Sequence, residues 1–339
     1  VSRIISDRLF LKEYDRRLDS IVLHDLKKSY KFGKKLGEGV TSEVFRVAER
    51  KTGANFALKR IALKSEKLRK AVERELQILK ALRHKHVTYL HDERRGPQTI
   101  FAVLELVSGG ELTHFITKHD ATWDEAEAAR CTYQVLSGLA YLHHEGVCHR
   151  DIKLANLLRS ARGPSFVMKI ADFGAAVRMA VPDDLGSSSA ANLDAFKAIE
   201  AGRQAIGTPC NMAPEVFDRR YGPMCDLWSL GCVVYELLCG EPPFDPYQLP
   251  QDDPEYYLKK NVRAAHFPTD ELASWRALSS NARSLVRALL TAEPTRRLSA
   301  WEALDAPWMA TRRAAAMSRQ QLEANRLRMV VPVLVLVLV

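Results

Sequence analysis

Between residues 30 and 63 short runs of mixed apolar and polar positions are bounded by turn residues. Lys31 to Leu36, Glu43 to Glu49 and Asn55 to Ala62 read as strands, with turns at Gly37–Gly39 and Thr52-Gly53. The pattern then changes. From Ser65 to Leu82, the residues Leu68, Val72, Leu76, Leu79 and Leu82 recur at spacings of three and four, which predicts an amphipathic helix. Residues 1–29 mix charged and apolar positions, as in Leu9-Phe10-Leu11, Leu18 and Ile21-Val22, and predict a helical N-terminal extension. From Trp123 to the region of Arg297 helical patterns dominate. The pattern predicts an α+β chain with two lobes, a small strand-rich lobe at 30–106 and a larger helical lobe at 107–309, linked near Glu105–Gly110. Residues 310–339 read as a basic helical tail with an apolar end.

Charge refines this picture. Of the net +9, residues 1–29 carry +2 and residues 311–328 carry +4, which leaves +3 for all the rest. No basic groove interleaved with aromatics is visible, so nucleic acid is not expected as a partner. The apolar stretch Met329 to Val339 is shorter than the roughly 20 residues a spanning helix needs, so no membrane span is expected. Association of that end with a membrane surface stays open. Cys225, Cys232 and Cys239 recur every seven residues, two helical turns, and read as buried thiols on one helix face. No C-x-x-C spacing and no secretory segment is seen, which points to a reducing compartment, cytoplasmic or nuclear.

The candidate chemistry is concentrated in two strings. His149-Arg150-Asp151-Ile152-Lys153-Leu154-Ala155-Asn156 is followed 16 residues later by Asp172-Phe173-Gly174. One candidate base (Asp151), one lysine (Lys153) and two hard oxygen ligands (Asn156 and Asp172) fall on two loops. Phosphoryl transfer from Mg-ATP needs that set. Upstream, Gly37-Glu38-Gly39 lies between two predicted strands and precedes Phe56-Ala57-Leu58-Lys59. Glycine lets a backbone approach phosphates closely, and the absence of G-K-[ST] excludes a P-loop.

From about Tyr30 to Met309 the chain resembles the eukaryotic protein kinases, in the branch that modifies Ser and Thr. Leu106-Val107-Ser108-Gly109-Gly110-Glu111-Leu112, Leu237-Leu238-Cys239-Gly240-Glu241-Pro242-Pro243-Phe244 and Ala306-Pro307-Trp308 are similar to the calcium/calmodulin-dependent group. The resemblance implies a bilobal protein-kinase-like fold, ATP and Mg²⁺ as cofactors and protein substrates. It implies that Leu36, Gly37 and Gly39 cover the nucleotide, with Val44, Ala57 and Leu158 sandwiching the adenine. Leu104 would sit beside the base, with Glu105 and Val107 bonding it through their backbones. Glu111 would lie at the edge of the same site. Lys59 would hold the phosphates and pair with Glu75, with Glu73 as the rival. Asn156 and Asp172 would hold the metal. Asp151 would accept or orient the proton of the substrate hydroxyl, Lys153 would neutralise the transferring phosphoryl group, Thr208 would hydrogen-bond near both, and Leu79, Leu90, His149 and Phe173 would form a stacked spine. Glu215 would pair with Arg297, and Asp226 would brace the catalytic loop.

Departures from the family pattern bear on detail. Asn211 stands where Tyr is usual, Ala155 where Glu is usual, and Thr41 where an aromatic is usual. With Ala155 in place, Glu111 and Glu236 imply a moderate preference for upstream Arg. Ser187, Ser188 and Ser189 are the only hydroxyl residues between Gly174 and Thr208. Activation is therefore expected not to need phosphorylation at the usual place, with Asp194 or Glu200 engaging Arg150 or another element ordering the loop. Asn192 to Ala205 suits a short helix. Thr311 to Arg328 reads as a solvated helical tail or, with Met317, Leu322 and Leu327 as anchors, as a calmodulin-binding helix or an intramolecular regulatory tail. Two other readings compete: a catalytically weak kinase-fold scaffold, and a small-molecule kinase.

Overall fold

The three runs at 30–63 become three antiparallel strands in the computed structural model, β1 (Tyr30–Glu38), β2 (Ser42–Glu49) and β3 (Asn55–Ala62). The structure describes residues 2–116, 123–161, 165–179 and 205–310. The expectations for Ser187–Ser189, Asp194, Glu200, the helix from Asn192 and the tail at 311–339 lie outside the described residues. The chain divides into two compact units, 1–84 with 88–108 and 85–87 with 109–339.

In the first unit a helix, α1 (Ser2–Ser29), leads directly into β1. The predicted amphipathic helix is α2 (Glu66–Ala81), and its start is chemical: the Ser65 hydroxyl accepts from the Leu68 amide at 3.2 Å. β4 (Leu90–Arg95) and β5 (Thr99–Glu105) complete a five-stranded sheet in the order β1-β2-β3-β5-β4. Strand alternation sorts β3 into two faces. Phe56 and Leu58 join Val47, Phe101, Val103, Tyr30 and Leu26 of α1 in one buried cluster. Ala57 and Lys59 take the other face. The C-terminal end of α1 enters this core through Leu26, with Val22 and Leu23 packed against the cluster.

The second unit is helical. Met224–Cys239 is buried almost all round, as an apolar helix inside a core must be, and the left-handed Gly240 (φ 85°) ends it. Cys225, Cys232 and Cys239 are buried on it, and all six cysteines are free thiols. The helix Glu125–His144 packs on a three-stranded sheet of Gly110–Glu111, Leu157–Arg159 and Met168–Ile170. It packs so closely that a Cβ on Gly138 would lie 2.8 Å from Ile170 and 3.0 Å from the His86 carbonyl. The segment 85–87 belongs to this second unit, although a linear reading assigns it to the first. The reason is bonding: the Ile170 amide donates to the His86 carbonyl at 2.9 Å, and the His86 ring meets the Met168 carbonyl at 3.0 Å. No described helix is long and apolar enough to cross a membrane.

Candidate active site

The second unit holds the HRD string on a loop that follows the strand Val147–Cys148. Asp226, fully buried on the helix Met224–Cys239, grips that loop from below. Its Oδ2 accepts from the His149 amide at 2.9 Å and its Oδ1 from the Arg150 amide at 2.7 Å. His143 Nε2 lies 2.9 Å from Oδ2. Burial pushes the Asp226 carboxyl up, but His143 and the His149 amide outweigh it and hold it below the usual carboxylate range. Arg150 takes a left-handed conformation (φ 68°), disfavoured for a non-glycine residue, so these contacts must hold it there. Its Nε donates to the Ala175 carbonyl at 2.6 Å and its Nη1 to the Tyr221 hydroxyl at 3.1 Å. Its backbone carbonyl is approached so closely by Gly207 (φ 122°) that a Cβ there would lie 2.7 Å away.

This loop geometry delivers Asp151 into a closed triangle. Thr208 Oγ1 donates to Asp151 Oδ1 at 3.0 Å, Lys153 Nζ lies 2.8 Å from Oδ2, and Lys153 donates to Thr208 Oγ1 at 3.0 Å. Burial pushes the Asp151 carboxyl up. The Lys153 ammonium and the Thr208 hydroxyl more than offset this and hold it below its ordinary value. A carboxylate with its two oxygens held by donors can accept a further proton or hydrogen bond from a hydroxyl brought beside it.

Asn156 and Asp172 can be tested as cation ligands on their own geometry. Asn156 uses its Nδ2 to donate to the Asp151 carbonyl at 2.8 Å and to Asp151 Oδ2 at 3.0 Å. That fixes the amide so that its oxygen points away from Asp151. The Asn156 backbone carbonyl accepts from the Ala171 amide at 2.9 Å, which ties it to the loop carrying Asp172. Asp172 is also left-handed (φ 62°), and its Oδ1 accepts from the Gly174 amide at 3.3 Å. Hard oxygens, few in number, suit Mg²⁺, which keeps water and phosphate oxygens in its shell. The donor set fits. Phe173 packs edge-on to His149 at 5.1 Å. Glu111 and Leu158 are register partners in the three-stranded sheet.

Glu215 and Arg297 form a fully enclosed fork. Arg297 Nη1 and Nη2 meet Glu215 Oε1 and Oε2 at 2.6 and 3.0 Å. The remaining Arg297 N–H groups reach the carbonyls of Met224, Thr291 and Ala292. On the same helix as Asp226, half-buried Glu236 is raised to about 7 by burial and by the Asp245 charge.

In the first unit strand register gathers the residues expected around a nucleotide. Gly37 pairs with Val44, Val44 with Lys59, and Ala57 with Leu104. Leu36 lies on β1, Glu105 ends β5 and Val107 follows it. Gly39 and Ser42 close the turn between β1 and β2, with a 2.7 Å bond from the Gly39 amide to the Ser42 carbonyl. Lys59 Nζ lies 3.0 Å from Glu75 Oε1. The rival Glu73 lies toward Arg95 instead, at 3.9 Å. Leu79 and Leu90 are buried in this unit.

Three contributors escaped the sequence reading: Tyr221 on Arg150, His143 on Asp226, and Gly207 against the loop carbonyl. Each acts on a residue more than fifty positions away, so no local spacing betrays it.

A protein kinase domain model matches residues 30–309. The calcium/calmodulin-dependent protein kinase type II of Caenorhabditis briggsae is 34% identical over 297 residues, 86% of this chain and 51% of the relative. The type II alpha chain of Drosophila melanogaster is 32% identical over 302 residues, 86% of this chain and 52% of the relative. Serine/threonine-protein kinase 33 of Mus musculus is 31% identical over 294 residues, 83% of this chain and 54% of the relative. The chain spans about half the length of these curated relatives. It belongs to the protein kinase family, and within that family it resembles the calcium/calmodulin-dependent, Ser/Thr-directed group.

Proposed function

We propose that this chain transfers the γ-phosphoryl group of Mg-ATP to Ser and Thr hydroxyls of proteins. The observation that carries the reading is the Asp151–Lys153–Thr208 triangle. Asp151 orients the acceptor hydroxyl and takes its proton. Lys153, two residues on, sets a positive charge against the group in flight, and Thr208 keeps acid and lysine in register. Lys59, held by Glu75, steadies the nucleotide phosphates. Asn156 and Asp172 would hold Mg²⁺, which when bound would supply positive charge against the phosphate oxygens. In a reaction of this kind little covalent work falls to the protein, so positioning and electrostatics do most of it. Leu36, Gly37, Gly39, Val44, Ala57, Leu104, Glu105, Val107, Glu111 and Leu158 complete the nucleotide set by resemblance. The names of the relatives, with the basic and apolar pattern of Thr311 to Arg328, support calmodulin as a partner.

The test is label transfer from γ-labelled Mg-ATP to a mixed library of Ser-, Thr- and Tyr-containing peptides. Label on Ser and Thr that Asp172→Ala abolishes is expected. Label on Tyr alone, or transfer unchanged by Asp172→Ala, would overturn the assignment.

Substrate preference carries a pH signature. A carboxylate facing Arg forms a charge-assisted pair, and a protonated one does not. Glu236 sits at about 7, so it gains its charge as pH rises through neutrality. The kcat/KM ratio for peptides with upstream Arg over Ala should therefore rise between about pH 6 and 8. Glu236→Gln should flatten it. A wild-type ratio that is constant with pH would remove Glu236 as a recognition group.

A further inference from the structure

We propose that α1, which precedes the matched domain, is a positioning element for the Lys59–Glu75 pair and acts through the turn joining β4 to β5. The proposal rests on the kinase reading above. All of its contacts lie within the first unit.

The face of α1 explains the docking. Asp15, Asp19, Val22 and Leu26 follow one another at spacings of four, three and four, so they share one stripe. The apolar end of that stripe enters the sheet core: Leu26 is fully buried, with Val22 and Leu23 packed against the cluster. The acidic end meets polar groups of the turn. Asp19 Oδ1 accepts from the Gln98 amide and Oδ2 from the Thr99 hydroxyl, both at 3.3 Å. Asp15 Oδ2 accepts from Gln98 Nε2 at 3.4 Å.

These bonds are long, and steric fit is the stronger evidence. A Cβ on Gly96 would run into the Asp19 carboxylate and lie 3.3 Å from the Asp19 Cα. A methyl group there would have to displace that carboxylate from Gln98 and Thr99.

The opposite side of the same hairpin is held by α2. Arg69 Nη2 donates to the Pro97 carbonyl. Lys80 pairs with Glu93 at 2.8 Å, and Arg95 approaches Glu73 at 3.9 Å. Residues 93–99 are thus gripped by α1 on one side and by α2 on the other. Glu75 lies on α2 between these anchor points, at 3.0 Å from Lys59. A turn pushed out of place shifts α2, and a shifted α2 lengthens the Lys59–Glu75 pair. Asp19 is the positioning residue in this scheme, and it touches no reacting group.

The experiment compares full-length wild type, Asp19→Ala, Gly96→Ala and the double variant. It reads kcat, KM and hydrogen exchange of the α2 amides at Leu76–Leu79. Gly96→Ala drives its methyl group into Asp19. It should lower kcat about five- to tenfold, leave the peptide KM unchanged and speed α2 exchange. Tryptophan fluorescence should report an unchanged melt for the second unit, which holds all five tryptophans. Truncating Asp19 removes the clash, so the double variant should resemble Asp19→Ala alone rather than the sum of the two. Additive losses, or α2 exchange and kcat both unchanged in Gly96→Ala, would overturn the proposal. Wild type that transfers no phosphate would overturn the kinase reading instead. The α2 exchange of Gly96→Ala then decides the link between turn and helix by itself.

Discussion

Arg297→Ala is expected to destabilise the second unit by about 3–5 kcal/mol. The side chain is fully enclosed, and it holds a carboxylate and three backbone carbonyls at once. Truncation leaves Glu215 as a buried charge without its counter-ion and leaves those carbonyls without their donor. It also removes the planar guanidinium stacked 5.2 Å from the centre of the Trp228 ring. All five tryptophans lie in the second unit, so their fluorescence follows its unfolding without interference from the first. A melting temperature lower by roughly 10 °C is the expected size for a unit of this length. Arg297→Lys should recover only part of the loss, because an ammonium cannot form the two-pronged contact. A change under about 1 kcal/mol would mean that the fork is wetter than its burial indicates.

Much of this architecture was legible before any coordinates, for reasons that particular residues make plain. The turn-bounded run Asn55–Ala62 and the three-four spacing from Leu68 to Leu82 are local signals, and both became the expected elements. The HRD and DFG strings are contiguous because loops carry their chemistry in consecutive residues, so Asp151, Lys153 and Asn156 could be read together. The choice of Glu75 as the partner of Lys59 came from the family resemblance, and residues two apart on a helix diverge too far for Glu73 to share the place. Other features depended on distant neighbours. Asp19 on a charged helix reads as a solvated residue until Gly96 is found beneath it. His143 and Tyr221 carry no motif of their own and matter only through Asp226 and Arg150. Residues 85–87 belong with the second unit because of bonds to Met168 and Ile170, which nothing in their own spacing announces.

The second large effect is catalytic. Asp151→Asn keeps the size of the side chain and one acceptor oxygen, but removes the charge that pairs with Lys153 at 2.8 Å and the base itself. Phosphoryl transfer should fall by about 10²–10⁴. Nucleotide affinity and melting temperature should stay near wild type, because Lys59, Asp172 and the Asp226 grip are untouched. No acid limb from Asp151 is expected near neutral pH in the wild type. Burial raises its carboxyl, but Lys153 and Thr208 bring it below the ordinary range, so it remains ionised. The decisive measurement is kcat for a Ser/Thr peptide with Mg-ATP, wild type against Asp151→Asn, with ATP binding followed on the same samples. Transfer lost with ATP binding retained is the predicted result. Transfer retained within about threefold would contradict the assignment of Asp151, and with it the account of this site.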